Sequence, residues 1–427
     1  MKGGDRVTHP HRSARAAGAA LPSSAPMLRQ TNLSLVLRHL RDHPAQSRAD
    51  VAEATGLHRA TVSNLVAELL DRRLVRETGT EHAGAIGRPR RPVTLDGAHV
   101  GALGLEINVD YISAHGSDLS GRVLVERRIA FDAMAGGPDL SLRQLGRVAL
   151  EAVEAMKTAG ATPAGLSVAV PGLVDVANGV VTLAPNLGWH DLPLAARLSA
   201  ALGPWRVPVT VDNDANLAAL AEHTSGVAAG TSHLVYLTGE VGVGGGIVLD
   251  GKLLRGADGF SGEIGHLPVD PGGSRCGCGR HGCLETKVGL AALMKAAHPE
   301  TSLPASDPEE RAIEIARGLT AGDSRMAEAV AQVGTWLGLG GSILANLFNP
   351  RVIVVGGYFA TLAEWLLPPA QAELERLVVA RSASQCRFVA SDLGFGAAAR
   401  GAASVVVNRL IDHPTMIPDP VPRLAPH

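Results

Sequence analysis

Apolar residues first recur at helical spacing over Leu33, Val36, Leu37 and Leu40, and His43-Pro44 predicts the end of that helix. Ser47-Arg-Ala-Asp50 has the form of a capping box with an acidic fourth residue, opening a short helix through Ala54. Thr55-Gly56 follows as a tight turn. A third helix is expected from about His58, with Val62, Leu65, Val66, Leu69 and Leu70 turned inward. Two short helices around a glycine turn, the second longer, make a helix-turn-helix. Leu74–Thr78 and Pro92–Leu95 then alternate as two short strands around the basic loop Gly87-Arg-Pro-Arg-Arg-Pro92. The pattern predicts a winged helix-turn-helix over residues 30–96, behind a disordered extension over 1–29. The plainer alternative is a three-helix packing module with a solvated basic loop.

From Val100 the period changes. Gly101–Asn108, Tyr111–Asp118 and Arg122–Phe131 predict a three-stranded meander, and a helix over 139–159 precedes a strand at Leu166–Val170. A strand over Val207–Val211 leads into Asp212-Asn-Asp-Ala-Asn216 and a helix through His223. Strands at Leu234–Leu237 and Gly246–Leu249 flank a glycine run, expected as a tight turn. A helix near 326–347 leads to a strand over Val352–Val355. Strands and helices thus alternate through two similar lobes. The body is expected over 97–410, with a C-terminal tail over 411–427.

Charge sharpens this division. The chain of 427 residues has a net charge of −2, yet residues 1–96 carry 15 basic against 9 acidic residues and the remainder 24 against 32. Fourteen of those 15 basic residues are Arg, the side chain suited to bidentate phosphate and guanine contacts. A basic front on an acidic body points to a nucleic-acid arm on a domain with another task. On the third helix Arg59, Thr61, Ser63 and Asn64 face outward and suit a major groove, and Arg88 and Arg90 of the loop suit phosphate or minor groove. Such readers pair to match palindromic sites, so a homodimer or tetramer is expected. Hydrophobic content is 46% and aromatic content 3%, so the cores are mostly aliphatic. No apolar run reaches the roughly 18–20 residues that cross a bilayer, and no membrane partner is expected. The basic start followed by Ala-Ala-Gly-Ala-Ala-Leu only weakly imitates a secretion signal. With one thiol outside the cluster described next there is no disulfide framework, and a cytoplasmic location is expected.

Cys276, Cys278 and Cys283, three of four cysteines, fall within eight positions, and His266 stands ten positions before the first. One His and three Cys suit a closed, tetrahedral, structural zinc site, one Zn2+ per chain. A chance cluster of buried thiols is the alternative. Glu263 and Glu285 bracket these residues and could coordinate in place of a thiolate, although thiolates are the commoner choice.

Several segments, in this order, resemble the ROK family of sugar-responsive repressors and sugar kinases. They are Val170-Pro-Gly-Leu-Val-Asp175, Ala184-Pro-Asn-Leu-Gly-Trp189, Asn213-Asp-Ala-Asn216, Gly262-Glu-Ile-Gly-His266, the cysteine run ending at Glu285, and Asn349-Pro-Arg-Val-Ile-Val-Val-Gly-Gly357. The resemblance implies an α/β, two-lobed actin-like ATPase (sugar kinase) fold with an N-terminal winged helix-turn-helix domain. It also implies sugar contacts by Asn213, Asp214, Glu263, His266 and Glu285, with a sugar or sugar derivative as effector. Where the family's kinases carry Asp-x-Gly-Gly-Thr for ATP phosphates, this chain has Glu106-Ile-Asn-Val-Asp110, and a second phosphate turn reads Glu240-Val-Gly242. Acids at these places repel phosphate, Asp110 and Glu240 among them. The expected function is therefore a sugar-responsive repressor of carbohydrate genes with no catalytic residue. The alternatives are an active sugar kinase with an appended DNA-binding domain, or a body that senses a protein partner.

Overall fold

In the computed structural model, residues 25–79, 91–297, 307–380 and 385–417 are described. The chain begins with α1 (Ala25–Asp42), α2 (Arg48–Thr55) and α3 (Arg59–Asp71). Ser47 Oγ accepts from the Asp50 amide while the Asp50 carboxylate accepts from the Ser47 amide, completing the capping box. His58 caps α3, its Nδ1 accepting from the Ala60 amide at 3.3 Å. β1 (Val75–Glu77) and β2 (Val93–Leu95) pair antiparallel as the wing, and Val93 also exchanges backbone bonds with Gln46. The wing residues Arg88 and Arg90 lie outside the described residues. The extension expected over 1–29 needs correction at its end. Ala25–Arg29 open α1, and Arg29 pairs with Glu68 of α3 at 2.7 Å.

The first lobe comprises β3 (Val100–Ile107), β4 (Tyr111–Asp118), β5 (Val123–Ala130), α4 (Ala133–Thr158), β6 (Thr162–Val170), the small meander β7 (Leu173–Asp175), β8 (Val180–Ala184) and β9 (Trp189–Leu192), then α5 (Leu194–Ala201), β10 (Val209–Asn213) and α6 (Asp214–Thr224). α4 starts earlier than its apolar spacing indicated, because Gly137 at φ 61° joins a first turn to the main helix across a kink beside Pro138. The second lobe comprises β11 (Leu234–Gly239), β12 (Val243–Leu249), β13 (Lys252–Leu253), α7 (Glu285–Val288), α8 (Leu290–Ala297), α9 (Pro308–Thr320), α10 (Ser324–Phe348), β14 (Val352–Gly357), α11 (Tyr358–Thr361), α12 (Ala363–Leu377) and β15 (Arg387–Ala390). A last helix, α13 (Ala397–Asp412), returns to the first lobe.

The two sheets repeat one plan. Their orders are β5-β4-β3-β6-β10 and β13-β12-β11-β14-β15, each with an antiparallel meander on one side and parallel strands on the other. The parallel strands Leu166–Val170 and Val352–Val355 are buried throughout, which is why they read as unbroken apolar runs.

The glycine run 244–246, expected as a turn, lies inside β12 instead. The reason is helix packing. A Cβ on Gly246 would come within 2.7 Å of the Ala215 carbonyl oxygen, and one on Gly244 within 2.9 Å of the Ala215 Cβ, so α6 can lie directly on this strand only without side chains. The same closeness recurs where α13 crosses α6. A Cβ on Gly401 would sit 1.9 Å from the Leu217 carbonyl oxygen. Ala218, Ala219, Ala398 and Ala402 complete this small-residue seam between the lobes.

α13 also corrects the domain boundaries. Val406, Leu410, Ile411 and Ile417 pack in one core with Leu33, Leu37, Val62 and Leu69 of the N-terminal helices. Arg72 donates to the Ile417 carbonyl at 2.8 Å, and Arg38 pairs with Asp412. Residues 411–417, expected as tail, are thus part of the base of the N-terminal helical unit. Among the described residues no helix is long and apolar enough to cross a membrane.

Candidate effector cleft, metal loop and DNA-reading helix

β10 ends in Asp212 and Asn213, and α6 begins at Asp214, so strand and helix together aim these residues at the second lobe. Buried Asp212 is gripped by Arg255 through both carboxylate oxygens, at 3.1 and 2.6 Å. Asn213 caps α6, its Oδ1 accepting from the Asn216 amide at 3.0 Å while Nδ2 donates to the Gly172 carbonyl at 3.1 Å. Its side chain also bonds the Asp214 carboxyl and favours the charged form there. Asp214 accepts from the Ala215 amide. Desolvation pushes its carboxyl up to about 6; that amide bond opposes the shift, and nearby Glu263 adds to it.

From the second lobe, Glu263 precedes and His266 ends a 3-10 turn over Ile264–His266. Burial raises the Glu263 carboxyl, with His266 opposing and Glu285 adding to the shift. Glu285, first residue of α7, accepts from the Val243 amide at 3.1 Å and stands 3.3 Å from the Cys276 sulfur. The five residues expected to contact sugar therefore gather on one cleft. Two more belong there. A Cβ at Gly242 would meet both Glu285 Oε2 and Asn186 Nδ2, placing Asn186 beside that carboxylate. Asn216, buried, leaves its Oδ1 without a partner among the described residues. Both lie in the segments Ala184–Trp189 and Asn213–Asn216, so motif membership was the signal that could have found them.

His266 joins this cleft to the cysteine loop. Its Nε2 lies 3.8 Å from Glu263 Oε2, and its Nδ1 lies 3.7 Å from the Cys276 sulfur. The ligand atoms of His266, Cys276, Cys278 and Cys283 all fall within 4.8 Å of one another, with Cys278 and Cys283 sulfurs 3.7 Å apart. A tetrahedral zinc with bonds of about 2.3 Å to sulfur and 2.0–2.1 Å to nitrogen requires edges of roughly 3.5–3.8 Å. The donor set fits in both chemistry and spacing.

Where the sequence lacked phosphate glycines, the space is filled. Glu240 accepts from Asn108 Nδ2 at 2.7 Å and lies 2.9 Å from the Tyr111 hydroxyl, which is 2.7 Å from Glu106. One hydroxyl proton faces two carboxyls, so one carboxyl must carry its own proton. Burial drives both in that direction, Glu106 up to about 7 and Glu240 well above the carboxylate range. The cavity beside Glu106, Asp214, Thr238 and Glu240 has about 10 Å³, room for one water. Arg128, with no motif to announce it, stacks on the Tyr111 ring at 3.9 Å and pairs across the lobes with Asp307 and Glu309. Asp110 was expected to repel phosphate. Arg311 of α9 stands 3.7 Å away and offsets part of its charge, while Glu106 and Glu240, held toward their protonated forms, occupy space rather than repel.

On α3, Arg59 and Asn64 are exposed and Thr61 and Ser63 half-buried, while Val62, Leu65, Val66 and Leu69 are buried behind them.

Residues 103–409, well over half of the chain, match the ROK family. The chain belongs to the ROK family. Residues 34–85 match the MarR family. A xylose repressor from Caldicellulosiruptor bescii is 31% identical over 405 residues, covering 91% of this chain and 98% of that one. A crystal structure of a ROK family transcriptional regulator, a homolog of the Escherichia coli MLC protein, superposes with a TM-score of 0.76 at 26% identity, over 90% of this chain and 97% of that one. A ROK family glucokinase from Streptomyces griseus, in complex with glucose and AMPPNP, gives 0.61 at 28% identity over 71% and 98%. The kinase is matched almost whole by less of this ROK chain, and the regulator extends over the rest.

Proposed function

We propose that the protein is a sugar-responsive transcriptional repressor of carbohydrate genes that binds operator DNA through its winged helix and does not phosphorylate its sugar. The observation that carries this reading is the core shared by α1–α3 and α13, which makes the DNA-reading unit and the sugar-kinase-like body one packed structure. Arg59, Thr61, Ser63 and Asn64 read base edges, and Arg88 and Arg90 hold backbone phosphate or the minor groove. Asn213, Asp214, Glu263, His266 and Glu285 bind sugar hydroxyls, with convergent carboxylates and one amide giving directional bonds. His266, Cys276, Cys278 and Cys283 hold one structural zinc per chain. The metal supplies rigidity, and His266 passes it on by turning its second nitrogen toward Glu263. Sugar drawn between Asp214 and Glu263 acts on the first turn of α6, and α6 bears on α13 through the small-residue seam. A homodimer or tetramer in the cytoplasm, reading a palindromic operator, completes the reading.

The test uses a duplex that the protein selects from a random-sequence pool. Fluorescence anisotropy across a panel of monosaccharides should find one that shifts its affinity, and the same sugar with ATP and magnesium should yield no sugar phosphate. Turnover that Asp214→Asn abolishes would overturn the repressor reading in favour of a kinase. No sugar effect at all would overturn the effector assignment.

A further inference from the structure

A second cavity, of about 380 Å³, lies away from the sugar cleft. Its walls are the start of β6 at Thr162–Leu166, the segment from Trp205 into β10, and the last turns of α13. That volume is in the range of small-molecule sites. The surface is mainly apolar, with Trp205, Leu166, Val406 and Leu410 in the walls, and no lining residue is acidic. Two cations, Arg206 and Arg409, line it as exposed side chains, and neither makes a side-chain hydrogen bond or ion pair among the described residues. Buried polar groups are normally paired, yet Trp205 Nε1 and Thr210 Oγ1 in the same walls are not.

We infer that this cavity is a binding site for a small amphipathic organic anion, an apolar body carrying one carboxylate. Apolar walls receive the body by burial, and a carboxylate at the mouth pairs with the two guanidiniums, whose planar forks match it. A neutral ligand of the same shape would leave both arginines unanswered. The location gives such a ligand a consequence. Val406 and Leu410 line the cavity and also belong to the core that holds the helix-turn-helix, so an occupant touches the base of the DNA-reading unit without entering the sugar cleft.

Titration calorimetry of the full chain with 2-naphthoate and with neutral 2-naphthylmethanol tests this independently of DNA or sugar. One saturable site per chain is expected, with the acid binding at least tenfold tighter than the alcohol. Arg206→Ala combined with Arg409→Ala, both at exposed positions, should lower the acid's affinity to that of the alcohol while leaving the unfolding midpoint unchanged. Ala164→Trp should fill the cavity and abolish binding of both; if that variant does not fold, Thr162→Trp serves the same purpose. Quenching of Trp205 fluorescence on binding, absent in Trp205→Phe, would support the location. The proposal is overturned by no saturable binding of 2-naphthoate up to about 1 mM, by equal affinity for acid and alcohol, or by binding indifferent to the arginine pair. Binding that appears only after removal of residues 418–427 would also overturn it, by making the chain's own C-terminal residues the occupant.

Discussion

Glu106→Gln replaces a carboxyl that the fold holds near its protonated form with a neutral group of the same shape. Glu106 is 1% exposed, and burial lifts its carboxyl from an ordinary 4.5 to about 7. Below pH 4.5 the carboxyl is protonated in folded and unfolded chains alike and adds no pH dependence. Between 4.5 and 7 the unfolded chain gives up the proton while the folded chain keeps it. The unfolded state then binds fewer protons, so stability falls as pH rises, and the loss is complete just above pH 7. At about 1.4 kcal/mol per unit, the shift corresponds to roughly 3 kcal/mol. Gln can still accept from the Tyr111 hydroxyl and donate to Ser113 Oγ, and it removes the charge that raises Glu240. Urea unfolding of both proteins at pH 4.5 and pH 8, followed by tryptophan fluorescence, is the assay. The variant should equal wild type at the lower pH and exceed it by up to ~3 kcal/mol at the higher. Carboxylates outside this cluster cancel in the difference. A variant less stable than wild type at pH 8, or a difference independent of pH, would refute the protonated-cluster reasoning.

Metal analysis of purified protein should find one zinc per chain, and Cys278→Ala should lose it together with the sugar response before global unfolding; far less than one zinc in wild type would remove the claim. Arg59→Ala and Asn64→Ala should each cost about 1–3 kcal/mol of specific DNA affinity with little effect on random duplex. Arg88→Ala and Arg90→Ala should weaken both and flatten the salt dependence, and equal losses on both duplexes for all four would sink the division of labour. Asp214→Asn should weaken sugar binding roughly tenfold or more, since a hydrogen bond to a charged group contributes about 1.5–3 kcal/mol. Affinity for the duplex without sugar should stay at the wild-type value in the same anisotropy assay.

Local signals were legible in the sequence. The spacing of Leu33, Val36, Leu37 and Leu40 marks a buried face, and Ser47 with Asp50 marks a helix start, because each depends on neighbours within one turn. The metal loop was legible because cysteine is scarce and its spacing short. What escaped depends on contacts distant in the chain. Nothing near residue 411 says that Ile411 will share a core with Leu37, more than 370 positions earlier. Gly244–Gly246 read as a turn because glycine commonly punctuates chains, whereas here it makes room for α6. Arg128, Tyr111 and Arg255 carry no motif. Their roles arise where two lobes meet, and Asp110's partner Arg311 escaped for the same reason, lying on the other lobe.

The carboxyl cluster at Glu106 and Glu240 bears on what kind of gauge this protein can be. A kinase consumes the sugar it recognises, so its occupancy depends on how fast it turns over as well as on supply. On the proposed reading, the cleft binds sugar without transferring phosphate and returns each sugar unchanged. Occupancy then follows free concentration alone, by mass action, and reverses when supply falls. In such a gauge no nucleotide level intrudes on the reading, and energy charge and sugar supply stay separate.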